Sequence, residues 1–273
     1  MSLLPLYQQV EQQEWIDIPS GWLQGRTVFG GLVAGILIQK ALSVVQDAAK
    51  QLLSCNITFV GPVQQGQAKI TAEILREGKS VTTLEVRLWQ DEAVQSILIA
   101  SFGSPRESRI HVENLPQVPD YPTPEQLDKT FYIEGLMPEC LQHFELCWAE
   151  GSYPMAGSKV PDFGGWSRFS PDLHQNRAMQ LPDLFALMDV WPPGVLPMFK
   201  TPAPASSLTW QITYLHPVAE QIQDWFKYKV VTEYAEHGYS TEYAYLWNRE
   251  NRLIAVLRQT VAVCLVDTAV HFV

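Results

Sequence analysis

The chain has few cysteines and little positive charge for its 273 residues. Its four cysteines form no Cys-x-x-Cys pair, which argues against a disulfide framework and favours small buried side chains in a reducing compartment. Lys and Arg number 19 against 29 Asp and Glu, which gives a formal charge of −10. Without a basic surface, the chain is not expected to bind nucleic acid. The cysteines are Cys55, Cys140, Cys147 and Cys264.

Long apolar runs are also absent. The longest, from Val28 to Ile38, is well short of the roughly 18 residues that a membrane span needs. The first residues, MSLLPLYQQVEQQEW, lack the basic segment and the apolar segment of a signal peptide. We therefore expect a cytoplasmic protein with no membrane insertion.

Motifs of common metal and catalytic sites are missing as well. The six histidines include no His-x-His or His-x-x-x-His pair, so no metal is predicted. No Gly-x-Ser-x-Gly is present, which disfavours a serine nucleophile. Gly78-Lys79-Ser80 lacks the upstream glycine of a phosphate-binding loop, and Gly78 is better explained by a hairpin turn. No cofactor is expected.

The sequence does contain an internal repeat. Hydrophobic residues make up 47% of the chain and charged residues 18%, a balance that can bury a sizeable core. NITFVGPV at 56–63 returns 155 residues later as QITYLHPV at 211–218. EILREGKS at 73–80 likewise returns as EYAEHGYS at 233–240. A repeat of this length predicts two copies of one structural unit.

Each copy combines one apolar helix with several strands. Apolar residues cover every face of the segment 30–46 as far as Gln39, which predicts a buried helix, and a second helix is predicted over 181–191. Strand-like runs joined by short turns follow each helix and predict antiparallel hairpins. They span 54–61, 67–76, 80–90 and 93–103 in the first copy, and 206–216, 224–235, 240–248 and 252–266 in the second.

A sheet that follows a single buried helix must curl around that helix to cover it. The predicted fold is therefore α+β, a double hotdog with two antiparallel sheets, each wrapped around a central helix. Five prolines between Ser104 and Gln126 indicate an extended connection. We predict an N-terminal half over 1–104, a proline-rich linker over 105–139 and a C-terminal half over 140–273.

Asp189, in LPDLFALMDVWPP, is the most unusual residue of the second predicted helix. Two prolines follow Trp191 and cannot continue the helix, so Asp189 is predicted to lie in its last turn. A carboxylate there opposes the helix dipole, and its spacing from Leu181 and Phe185 puts it on an apolar stripe. Its pKa should be raised. A functional acid is the favoured interpretation, and a solvated acid at a frayed helix end is the alternative.

Two further features are candidates for the same site. Alternation through the last strand puts Gln259 on an apolar face, either as a buried amide satisfied by backbone groups or as a partner of Asp189. Gly30 and Gly31 open the first helix, where backbone N–H groups can bind a carbonyl oxygen, although glycines there also permit tight packing. The first helix carries no carboxylate, so one composite site per chain is expected.

Taken in order, the segments resemble the acyl-CoA thioesterase II type, the double-hotdog thioesterases. The resemblance implies hydrolysis of fatty acyl-CoA by a water that Asp189, Gln259 and a hydroxyl at Ser207 hold. Simple alternation puts Ser207 on the polar face of its strand, with Thr209 and Gln211. A bulge in that strand, or Ser206 in place of Ser207, is needed to bring a hydroxyl to the site. The resemblance covers about residues 15–106 and 160–265, on GRTVFGG, CNITFVGPV, ILREGKSVTTLEVRLW, ILIASF, the Asp189 helix, SLTWQITYLHP and LIAVLRQTVAV.

The implied partner is an acyl-CoA substrate from fatty acid metabolism. Arg26, Arg76 and Lys79 are the basic residues nearest the first helix and the hairpin turn, and they are candidates for CoA phosphate contacts. Exposed sheet faces and edges predict a homo-oligomer. Two other functions stay open. One is an acyl-CoA or acyl-chain binding protein without hydrolysis, and the other is an enoyl-CoA hydratase, which would need a His beside Asp189, His174 being the nearest in sequence.

Overall fold

The computed structural model describes residues 2–263. Cys264, the end of the strand predicted over 252–266 and the outer ends of both predicted halves lie outside these residues. The helices that position the candidate site match the predicted ones closely, although each ends earlier than expected. The α-helices of this part of the chain are α1 (Leu4–Gln12), α2 (Gly30–Val44) and α3 (Leu181–Met188).

The strands of both predicted copies are present. Each begins and ends within about three residues of its predicted bounds, because alternation and turn residues mark these hairpins clearly. The strands are β1 (Trp15–Ile18), β2 (Leu23–Gln24), β3 (Thr27–Val28), β4 (Gln51–Phe59), β5 (Gly66–Glu77), β6 (Val81–Gln90), β7 (Ala93–Gly103), β8 (Lys129–Thr130), β9 (Phe144–Gly151), β10 (Phe163–Phe169), β11 (Ala205–Tyr214), β12 (Phe226–Glu236), β13 (Tyr239–Trp247) and β14 (Leu253–Val263).

The prediction of two sheets, one for each half, is confirmed only in part, because the two are joined into one. Within residues 2–263, twelve strands form one antiparallel sheet in the order β1-β5-β6-β7-β4-β11-β14-β13-β12-β10-β9-β8, and β2 pairs with β3. The join is the antiparallel pair β4 and β11, in which Thr58 lies opposite Thr209. Each of these strands would otherwise present a row of unpaired backbone N–H and C=O groups at a sheet edge, and pairing satisfies both rows.

The helices α2 and α3 lie against each other as well as against the sheet. Most of α2 is buried, from Gly31 to Gln39, and all of α3 after Leu181 is buried. The contact is close at Gly35, where an added Cβ would be 2.7 Å from the carbonyl oxygen of Pro182. Only glycine therefore permits this separation of the two helix axes. The packing fixes the start of α2 near the end of α3.

The segment predicted as a linker is extended over most of its length. Within 105–139 the regular structure is a short 3-10 turn at Pro124–Gln126, the start of another at Glu139, and β8, which adds an edge to the sheet by pairing with β9. Lys227 on β12 holds the segment by donating to the carbonyl oxygen of Pro119 at 2.8 Å. Within residues 2–263, no helix is long and apolar enough to cross a membrane.

Candidate active site

Asp189 is the first residue after α3. The helix ends at Met188 and not near Trp191 as predicted, and Asp189 has left the helical region with φ −95° and ψ 1°. The reason is that Pro192 and Pro193 have no N–H for the carbonyl groups of Met188 and Asp189, and their rings would clash with those carbonyls in a continued helix. The carboxylate thus lies at the negative end of the helix dipole, where ionisation is disfavoured.

The carboxyl group of Asp189 is enclosed by protein and is held from two sides. It accepts a hydrogen bond from the backbone N–H of Gly31 and another from the side chain of Gln259. Burial raises the pKa of Asp189 to about 7, against the lowering effect of these two bonds, and the nearby carboxyl of Glu242 raises it further. The residue as a whole is half-buried.

Gln259 connects Asp189 with Ser207. Its side-chain amide donates to the hydroxyl of Ser207 across the β11–β14 pair. The strand register shifts between Ser207 and Thr209, which is the irregularity that simple alternation required. Ser207 and not the exposed Ser206 therefore bonds to Gln259. The three side chains form one hydrogen-bonded chain.

The two glycines at the start of α2 leave room for this arrangement. A Cβ on Gly30 would be 2.9 Å from Oδ2 of Asp189, and one on Gly31 would be 2.9 Å from the carbonyl oxygen of Ala186. Any larger residue would push the carboxyl group or α3 away. The backbone N–H of Gly31 also lowers the pKa of Asp189 through a hydrogen bond, and its role toward a substrate oxygen stays a prediction.

A small cavity lies between α3 and the sheet beside Asp189. It encloses about 10 Å³, about the space of one water molecule. Carboxyl, amide and phenol groups share its wall with large aromatic rings. The lining residues are Met188, Asp189, Trp191, Trp210, Tyr228, Glu242, Ala244, Leu257 and Gln259.

Glu242 is the residue of this cavity that the sequence analysis missed. It is 2% exposed and lies opposite Gln259 on the neighbouring strand. Burial raises its pKa to about 7. The signal was available, because alternation along β13 puts Glu242 on the inner face with Ala244 and Leu246. A carboxylate on such a face is as unusual as the glutamine on β14.

Family profiles match the chain in two consecutive parts. Residues 18–103 match the acyl-CoA thioesterase N-terminal domain, and residues 113–263 match the acyl-CoA thioesterase C-terminal domain. The second match alone covers more than half of the chain. The chain belongs to the acyl-CoA thioesterase family. The resemblance found in the sequence is thereby confirmed.

Solved structures share the fold of this thioesterase family member along its whole length. A hot dog fold protein of unknown function from Alicyclobacillus acidocaldarius matches with TM-score 0.81 and 21% identity, over 95% of this chain and 98% of that one. Acyl-CoA thioesterase II TesB2 from Mycobacterium marinum matches with TM-score 0.70 and 16% identity, over 96% and 100%. The hotdog fold is thus established. A comparison with curated proteins gives no significant match.

The basic residues predicted to contact CoA lie outside the cavity. Arg26 is exposed in the turn between β2 and β3, just before the start of α2. Arg76 and Lys79 are exposed at the β5–β6 hairpin. Of the three, Arg26 is the closest in sequence to Gly30 and so to the carboxyl group of Asp189.

Proposed function

We propose that this protein hydrolyses fatty acyl-CoA to free fatty acid and CoA, with Asp189 as the base that activates water. The observation that carries the proposal is a carboxyl group with a pKa near 7, bonded to Gly31 and Gln259, in the wall of a cavity the size of a water molecule. A base is most effective when its pKa lies near the working pH.

The proposed reaction needs no covalent intermediate and no cofactor. Asp189 takes a proton from water while the water oxygen forms a bond to the thioester carbon. Gln259 and Ser207 orient that water, which fixes the geometry of attack. The carbon–sulfur bond then breaks, CoA leaves as a thiolate, and the proton on Asp189 passes to the thiolate or to solvent. The hydrogen bond between Gln259 and Ser207, and that between Gln259 and Asp189, support these assigned roles.

The developing negative charge on the carbonyl oxygen also needs a donor. The N–H of Gly31 already serves Asp189, so we assign the oxyanion role to the start of α2 at Gly30. The positive end of the helix dipole of α2 favours an anion at this point. We retain Arg26, Arg76 and Lys79 as candidates for CoA phosphates, with Arg26 first. Homo-oligomerisation and a cytoplasmic location stay predictions.

The hydratase alternative is disfavoured by the histidines that the structure describes. His174, the nearest in sequence to Asp189, contacts His143 at 3.2 Å, and His143 in turn contacts the carbonyl oxygen of Gly21. Neither histidine lines the cavity. Only a measurement of turnover distinguishes an acyl-CoA binding protein without hydrolysis from a thioesterase.

The decisive experiment compares the wild type with Asp189→Asn on CoA thioesters from acetyl to palmitoyl, followed by thiol release. The amide is nearly isosteric, so folding and acyl-CoA binding should persist while kcat falls by about 10²–10⁴-fold, because the amide cannot take a proton from water. Asp172→Asn is the matched control, since Asp172 is exposed before α3 and should turn over like the wild type. Wild-type turnover by Asp189→Asn would remove Asp189 from the mechanism.

A further inference from the structure

Glu242 has no part in the reaction as proposed above, yet it is buried in the same cavity wall as Asp189. Its Oε2 accepts the backbone N–H of Gly194 at 2.7 Å. Gly194 follows Asp189 by five residues, and two prolines lie between them. One buried carboxyl group therefore ties the sheet to the turn that carries the base.

Comparison of the two halves shows that the fold does not need a carboxyl group at this position. Strand pairing sets corresponding residues in one row across each half of the sheet, and the row is apolar in the N-terminal half. The C-terminal row is Trp210, Gln259, Glu242 and Thr232. The N-terminal row is Cys55, Ala100, Leu84 and Ile74.

Leu84 is fully buried, as Glu242 is, and both precede a repeated Leu-Trp pair by four residues. The same sheet thus packs with leucine in one half and with a carboxylic acid in the other. Burying a carboxyl group is unfavourable relative to a hydrocarbon side chain of similar size. Its presence beside Asp189 indicates a role in the site and not in the fold.

Acidic groups and a phenol from several elements lie around Glu242. Asp189 faces it from the end of α3, and Tyr228 lines the same cavity from β12. Asp162, in the turn before β10, adds to the negative charge around Glu242 and accepts the N–H of Thr232 at 2.7 Å. No Lys or Arg occurs among the cavity residues of this part of the chain.

We propose that Glu242 is a positioning residue of the thioesterase site, which fixes the turn after Asp189 through Gly194 and raises the pH above which Asp189 acts as a base. The inference rests on the proposed function and names a further residue of that same site.

The physical reason is repulsion between two carboxylates around one cavity. Two such groups do not both ionise readily, so their protons leave in two coupled steps. When one group carries the charge, the other stays protonated. Removing the charge of Glu242 therefore lets Asp189 ionise at a lower pH, while Gln at this position can still accept the N–H of Gly194.

The test uses Glu242→Gln with two readouts, ¹³C NMR titration of the Asp189 carboxyl group and the pH profile of kcat/KM. We expect the titration midpoint and the acid limb to move down together by about one pH unit. Glu233→Gln is the matched control, because Glu233 lies on the outer face of the same sheet and pairs with Arg258. Glu233→Gln also removes one negative charge, and it should change neither the titration midpoint of Asp189 nor the acid limb of the pH profile.

An unchanged midpoint in Glu242→Gln would overturn the proposal. If that variant does not fold, Glu242→Leu copies Leu84 of the N-terminal half, also removes the charge and carries the same prediction. Glu242→Asp keeps the charge but shortens the reach to Gly194, so kcat should fall while the acid limb stays in place. The NMR titration needs no turnover, so a wild type without hydrolysis would refute the proposed function alone.

Discussion

At the scale of single residues, the raised pKa of Asp189 means that the folded protein disfavours the ionised form of its proposed base. The folded pKa of about 7 lies above the ordinary value of 3.8. Between these two values the folded chain binds more protons than the unfolded chain, so the free energy of unfolding falls as the pH rises from 4 to 7. Catalysis and stability thus make opposite demands on this side chain.

Asp189→Asn should consequently be more stable than the wild type at pH 8. The full shift corresponds to at most about 4 kcal/mol, reduced by whatever the amide loses in bonds from Gly31 and Gln259. The gain should vanish near pH 4, where the wild-type carboxyl group is protonated as well. Urea unfolding of both proteins at pH 4, 6 and 8 measures it. A gain that does not depend on pH would contradict the raised pKa.

At the scale of helices and strands, the α2–α3 contact decides where the reactive groups lie. Gly35→Ala would put a methyl group 2.7 Å from the carbonyl oxygen of Pro182. We expect a loss of about 1–3 kcal/mol from overpacking, partly offset by the better helix propensity of alanine. The helices should also move apart, which loosens the bond from Gly31 to Asp189 and lowers kcat.

Denaturant unfolding and thiol release together check this prediction. Ser43→Ala, on the exposed side of the same helix, is the control and should change stability by less than about 0.5 kcal/mol. If Gly35→Ala kept wild-type stability and kcat, the close approach of the two helices would be unimportant for the site.

The sequence predicted the elements that obey a simple period and missed those that do not. Alternation with clear turns located β5 to β7 and β12 to β14. The strand β10, FGGWSRF, is buried at six of its seven positions, so no alternation marks it. Asp189 and Gln259 became candidates as an acid and an amide in an apolar setting, and Ser207 became one through the family resemblance alone. Glu242 obeyed the same rule and was overlooked.

At the scale of the whole molecule, the joined sheet was beyond sequence reasoning. Pairing of β4 with β11 is made by backbone groups, and side-chain periodicity says which face of a strand is buried but not which strand is its neighbour. Besides the sheet and the α2–α3 contact, the two halves also meet at His143, which contacts the carbonyl oxygen of Gly21 in the earlier part and His174 in the later part.

The contact at His143 should weaken in acid. Burial lowers the pKa of His143 to about 4 and that of His174 to about 3, from an ordinary value near 6.5. Between pH 6.5 and 4 the unfolded chain binds more protons, so the free energy of unfolding should fall as the pH drops. His174→Gln should make this slope shallower, and urea unfolding at pH 7, 6 and 5 measures it. His111→Gln, at an exposed site, is the control and should keep the wild-type slope.

The pairing of β4 with β11 also has a consequence for how the protein can change. In a dimer of identical subunits, every substitution occurs twice, so a residue that suits one copy of a pocket must be tolerated in the other. Here both copies lie on one continuous chain and can differ, as the rows that contain Leu84 and Glu242 do. A covalent duplicate can keep one half as an apolar wall while acid, amide and hydroxyl accumulate in the other.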